Sequence, residues 1–147
     1  MAGNVTSGLP REAGASTARP SDPILLIEDD EKSRFAIGAV LEDEGHLVIS
    51  VENGAEAIAY LRGGGRAALI LLDLMMPDSN GWQFRREQLA DPSLADIPVV
   101  VMSGMYDPPG MLGTAGFVAK PVDPGRLCEL VRRQLRDSGP VERPSRA

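Results

Sequence analysis

Four short apolar runs, each ending on polar or charged residues, limit this chain to very few folds. Pro23-Ile24-Leu25-Leu26-Ile27 ends at Glu28-Asp29-Asp30, and Leu69-Ile70-Leu71-Leu72 ends at Asp73. Val99-Val100-Val101-Met102 ends at Ser103-Gly104, and Phe117-Val118-Ala119 ends at Lys120-Pro121. Runs this short, apolar at successive positions, read as strands covered on both faces, the situation of a parallel sheet between two helical layers. In open sheets of that kind ligands bind just beyond the carboxyl ends of the strands. Three carboxylates, a hydroxyl and an ammonium are thereby delivered to one edge of one sheet.

The remaining sequence fits a single soluble domain. A chain of 147 residues buries roughly two-thirds of the surface its unfolded form exposes. No apolar stretch approaches the ~18 residues that span a bilayer. Residues 1–21 lack the apolar core of a secretory signal. The single cysteine, Cys128, excludes an internal disulfide and suits a reducing compartment, so the cytoplasm is the expected location. Net charge is −6, and each tail carries +1, which leaves −8 on the central segment. Such an acidic body argues against direct nucleic-acid binding, whose affinity comes mostly from phosphate contacts. Arg132, Arg133 and Arg136 sit at helical spacing and read as a solvated face or a protein contact.

Residues 1–21 and 138–147, rich in Gly, Ala, Ser and Pro, are expected to be disordered tails. Between them strand and helix patterns alternate. Strand one spans about Pro23–Ile27, and helix one about Glu31–Glu44, stopped by Gly45. His46–Val51 alternates apolar residues at Leu47, Ile49 and Val51. Asn53 with Glu56 has the pattern of a capping box, opening a helix with Ala55, Ile58, Ala59 and Leu61 inward and Gly63-Gly64-Gly65 at its end. Ala68–Leu72 is strand three, followed by a loop through Pro77 and Gly81 and a helix around Trp82–Leu89. Asp91-Pro92 breaks that helix before strand four, Ile97–Met102. After strand five, Gly116–Ala119, Asp123-Pro124 caps a last helix with Leu127, Leu130, Val131 and Leu135 inward. Five strands alternating with helices define a doubly wound α/β sheet.

From about residue 22 to residue 137 the chain resembles the receiver domain of response regulators, the phospho-accepting partners of sensor histidine kinases in two-component systems. The resemblance rests on four motifs in order: an acidic pair after strand one, Asp73 followed by x-x-Met-Pro to Pro77, Ser103 after strand four, and Lys120-Pro121 after strand five. It implies a flavodoxin-like five-stranded parallel sheet in the order 2-1-3-4-5. It implies that Asp73 is the phospho-acceptor, since a carboxylate can attack a phosphoryl group and hold it as an acyl phosphate. Crowded carboxylates repel by roughly 4 kcal/mol per pair at 4 Å and an effective dielectric of about 20, which a divalent cation relieves. An all-oxygen set suits Mg²⁺. By the family's pattern Asp29, Asp73 and the backbone carbonyl of Met75 bind it directly and Glu28 acts through water, with Asp30 outside the shell. Lys120 pairs with Asp73 in the empty site and with a phosphoryl oxygen in the filled one. Ser103 and Phe117 form the switch, and the Lys120-Pro121 bond is expected to be cis.

The sequence departs from the family in places. Only 17 positions separate Ser103 from Lys120, and Met105–Thr114 contains two prolines and two glycines, so the fourth helix is expected to be shortened or absent. That alters the face on which the family's usual dimer forms. Met75 and Met105 cannot orient a water, which implies modest autodephosphorylation. About ten residues follow the last helix, too few for a helix-turn-helix, so action by contact with a kinase or phosphotransfer protein and a downstream protein is expected. The alternative is a pseudo-receiver that serves as an interaction module without phosphorylation. A haloacid-dehalogenase-like phosphatase would need a second Asp where Met75 stands, and a nucleotide binder is disfavoured by the acidic run after strand one.

Overall fold

The protein, here a computed structural model, is described for residue 19 and residues 21–74, 81–104 and 113–138. The strands are β1 (Ile24–Ile27), β2 (Val48–Val51), β3 (Leu69–Asp73), β4 (Val99–Ser103) and β5 (Gly116–Ala119). The helices are α1 (Glu31–Asp43), α2 (Gly54–Arg62), α3 (Gly81–Ala90) and α4 (Pro124–Ser138). All strand pairs are parallel, in the order β2-β1-β3-β4-β5, which is the expected doubly wound 2-1-3-4-5 sheet.

Every residue of β1, β3 and β4 is buried, because each strand carries helices on both sides. Leu25, Ile27, Ile70, Leu72, Val99 and Val101 face α2 and α3, meeting Ala57, Ile58, Leu61 and Phe84. Ile24, Leu26, Leu69, Leu71, Val100 and Met102 face α1 and α4, meeting Ile37, Leu41, Leu127, Val131 and Leu135. Each such side chain contributes roughly 1.5–3 kcal/mol by leaving water.

Capping of α2 and α4 follows the sequence pattern, and the structure adds a cap at α1 that the sequence reading did not name. Asp30 caps α1 by accepting from the Ser33 N–H at 2.8 Å, and Asn53 caps α2 by accepting from the Glu56 N–H at 2.8 Å. Glu56 reaches back one residue beyond the cap, to the Glu52 N–H at 2.9 Å. Asp123 accepts from the Arg126 N–H at 3.0 Å at the start of α4. Gly45 leaves α1 at φ 96°, a left-handed conformation that favours glycine.

Two local expectations need correction, and one helix face was not read from the sequence. Leu47 is 67% exposed rather than inward, because β2 pairs from Val48 onward and Leu47 joins the sheet only through its carbonyl, which accepts from the Ile24 N–H. On α2, Ala57 is buried while Ala55 and Ala59 are exposed, since the helix is phased by Ile58 and Leu61. On α3, Arg85 and Gln88 turn inward while Leu89 is half exposed. Gln88 donates to the carbonyls of Leu94 and Ile97 at 3.0 Å and accepts from Arg85 Nη1 at 2.8 Å, so it ties the α3–β4 loop to the helix. Burial pushes the Arg85 guanidinium pKa down.

The expected shortening of a fourth helix falls mostly on residues 105–112, outside the described residues. Gly113, at the end of that segment, has φ 80°, which a right-handed helix does not hold. The expected tails also lie almost wholly outside the described residues.

Gly81, at the start of α3, has a specific steric reason to be glycine. A Cβ there would lie 2.9 Å from the Asp73 carbonyl oxygen, 2.9 Å from Leu74 Cα and 2.8 Å from Leu74 Cδ2. Backbone at that distance must move. Gly81→Ala is therefore expected to cost about 1–3 kcal/mol in urea denaturation, more than the gain of up to ~1 kcal/mol in helix propensity.

Candidate functional site

Parallel pairing fixes which strand ends meet. Ile27 of β1 lies opposite Leu72 of β3, Asp73 lies opposite Met102, and Ser103 lies opposite Ala119. The residues just beyond these pairs, Glu28, Asp29 and Lys120, therefore gather with Asp73 and Ser103 at one sheet edge. Ligand oxygens of Glu28, Asp29 and Asp73 all lie within 4.8 Å of one another. Glu28, Asp73 and Ser103 are buried, whereas Asp29 is exposed. Asp30 serves α1 as its cap, and its backbone N–H donates to Glu28 Oε2 at 3.1 Å.

Lys120 Nζ stands 3.3 Å from Asp73 Oδ2 and 3.3 Å from Glu28 Oε1. The second contact was not foreseen, since the sequence pattern suggested Asp73 alone. Burial works against the ammonium charge, but Asp73 and Glu28 outweigh it and hold the Lys120 pKa above its ordinary value. The Lys120 N–H donates to the Ser103 carbonyl at 2.9 Å, which joins β4 to the turn carrying the lysine. The Lys120-Pro121 bond is cis. Phe117 is half-buried on the side of the sheet covered by α2 and α3. Met75 lies outside the described residues.

Burial, then a hydrogen bond with Asp73, pushes the Glu28 carboxyl up to about 7, against the Asp30 N–H and the Lys120 charge, which favour ionisation. Folded Glu28 thus keeps a proton that the unfolded chain releases near 4.5. Its stabilising contribution is complete below that lower value and is lost as pH rises through about 7. In cation-free buffer, urea denaturation should show wild-type stability falling relative to Glu28→Gln between about pH 5 and pH 8, by on the order of 3 kcal/mol. A flat difference would contradict the shift.

Three carboxyl groups face one ammonium, two of them buried, and negative charge concentrates there as Glu28 loses its proton. The donors are all hard oxygens, and they fit Mg²⁺ in kind and in closeness. Arg34, missed in the sequence, belongs to this edge. Its Nη1 donates to the Glu28 carbonyl at 3.0 Å and reaches the Asp29 carbonyl at 3.4 Å. The available signal was its place in the first turn of α1, three residues after the acidic run ends at Glu31.

A 2-1-3-4-5 parallel sheet with an acidic pocket facing a lysine at its carboxyl edge defines a flavodoxin-like receiver-type domain. The chain belongs to the response regulator receiver domain family, whose profile matches residues 24–132. This is a domain of two-component signalling rather than a dedicated enzyme. Protein PilH of Pseudomonas aeruginosa is 28% identical over 117 residues, covering 76% of this chain and 96% of PilH. Response regulator Rre1 of Synechocystis is 33% identical over 118 residues, covering 76% of this chain but 51% of Rre1. Among solved structures, the signal receiver domain of a histidine kinase from Syntrophus aciditrophicus superposes with a TM-score of 0.72 at 29% identity, covering 86% of this chain and 96% of that one. A response regulator receiver protein from Pseudomonas putida gives 0.70 at 30% identity, covering 79% and 98%. Among the described residues no helix is long and apolar enough to cross a membrane.

Proposed function

We propose that this protein is a phospho-accepting switch, modified on Asp73 by a histidine kinase or a phosphotransfer protein and acting through contact with a further protein, in the cytoplasm. The observation that carries this reading is the Lys120 ammonium lying 3.3 Å from both Glu28 and Asp73 beside a three-carboxylate cluster. Glu28, Asp29 and Asp73, with the Met75 carbonyl, would hold Mg²⁺. The cation, when bound, offsets charge on the carboxylates and on a phosphoryl group.

A carboxylate oxygen of Asp73 forms the new O–P bond as the N–P bond of a phosphohistidine breaks, and the imidazole leaves with that electron pair. Lys120 exchanges its contact with Asp73 for one with a phosphoryl oxygen, and the Ser103 hydroxyl donates to another. Ser103 and Phe117 lie on the adjacent strands β4 and β5, so movement of the hydroxyl can be passed to the aromatic ring.

Incubation with Mg²⁺ and a small phosphoryl donor should add one phosphoryl group to the wild type by intact mass, and chelation of the cation should prevent it. A chain that folds and gains none would overturn the reading in favour of a pseudo-receiver.

A further inference from the structure

Resting on the reading of Glu28, Asp29 and Asp73 as a Mg²⁺ site, we infer that Arg34 is a positioning residue that fixes the acidic loop for the cation. Glu28 and Asp73 are held by burial and by Lys120. Asp29 is different: it is exposed, and it lies beyond the last residue of β1. Its carboxylate is therefore oriented by the backbone of the β1–α1 turn.

That backbone is tied at successive points. The Glu28 N–H donates to the Val51 carbonyl at 3.2 Å, the Asp30 N–H to Glu28 Oε2 at 3.1 Å, and the Ser33 N–H to Asp30 Oδ2 at 2.8 Å. The two carbonyls that flank the Asp29 Cα, those of Glu28 and Asp29, are both taken by Arg34 Nη1, at 3.0 and 3.4 Å. The guanidinium of the half-buried Arg34 thus sets both peptide planes around the least constrained ligand. Without it the turn has more orientations to lose when a cation binds, and partners outside a metal's ligand shell commonly change affinity 10–100-fold. The guanidinium also carries positive charge, which taken alone would weaken cation binding. Screening by solvent reduces that effect for a partly exposed group, so orientation should dominate.

The test is calorimetric titration of the full chain with Mg²⁺ for wild type, Arg34→Met and Arg34→Lys, with thermal melts in the presence and absence of Mg²⁺. Arg34→Met should weaken Mg²⁺ about ten-fold or more while the cation-free melting temperature moves little, so the rise in Tm on adding Mg²⁺ shrinks. Arg34→Lys should recover part of the affinity, because one ammonium can still donate to a carbonyl although it lacks the planar fork. Wild-type or tighter affinity in Arg34→Met overturns the inference. Should Arg34→Met be unfolded, Arg34→Lys decides: weaker binding by a folded protein supports the role, and unchanged binding overturns it. A wild type that binds no Mg²⁺ overturns the metal-site reading and this inference together, whereas normal binding in both variants removes Arg34's role alone.

Discussion

Asp73→Asn should gain no phosphoryl group under conditions in which the wild type gains one, and it should be more stable than the wild type when divalent cations are absent. Loss of the phosphoryl group follows because an amide is not a nucleophile for phosphorus at neutral pH. The gain in stability follows from the pocket's own electrostatics. Asp73 and Glu28 are buried together, share a hydrogen bond and face one ammonium. A carboxylate pair at about 4 Å repels by roughly 4 kcal/mol at an effective dielectric of about 20, and Lys120 and the Glu28 proton offset much of that. A net gain of ~1–2 kcal/mol in chelator is the expectation. Mg²⁺ should then raise the Tm of Asp73→Asn less than that of the wild type. Equal stability with an unchanged response to Mg²⁺ would show that Asp73 carries no strain.

Lys120→Met should produce the opposite change in stability. Removing the ammonium leaves two buried carboxylates facing each other, and breaking a buried ion pair by deleting one partner commonly costs 3–5 kcal/mol. The Lys120 side chain is 27% exposed, and Glu28 can keep its proton, so about 2–3 kcal/mol is expected in cation-free buffer. Mg²⁺ should restore part of that loss, because a cation at the same edge replaces the missing charge. Phosphoryl gain should slow by on the order of 100-fold, the usual effect of losing one group aimed at developing charge. Urea denaturation with and without Mg²⁺, alongside the rate of mass gain, measures both effects. A Lys120→Met variant as stable as the wild type in chelator would show that the 3.3 Å contacts contribute little.

How far the sequence carried depends on what each residue's position is determined by. The core strands were legible because residues such as Leu25, Leu26, Ile70 and Leu71 are apolar on both faces, a pattern that only a doubly covered strand accommodates. The edge strand β2 was legible only in part. Leu47 continues the alternation of Ile49 and Val51, but register against β1 starts at Val48, and alternation alone does not reveal register. Arg85 and Gln88 were hidden for a different reason: polar residue types suggest a solvated face, and only the tertiary structure reveals the Leu94 and Ile97 carbonyls that make Gln88 an interior residue.

The site divides in the same way. Glu28, Asp29, Asp73, Ser103 and Lys120 follow apolar runs, so their gathering at one edge follows from strand ends alone. The double contact of Lys120 and the clasp by Arg34 depend on side-chain reach across elements, which linear spacing does not encode. Asp30 shows the reverse, since its position ahead of α1 makes it a helix cap within an acidic run.

The decisive measurement is chemical mapping of the modified residue. Wild type treated with Mg²⁺ and a small phosphoryl donor is reduced with borohydride, which converts an aspartyl phosphate to homoserine, and its peptides are sequenced by mass spectrometry. Conversion confined to Asp73 is the expected result. Reduction at another acidic residue, or none in a protein that has gained a phosphoryl group, would contradict the assignment of Asp73 as the acceptor.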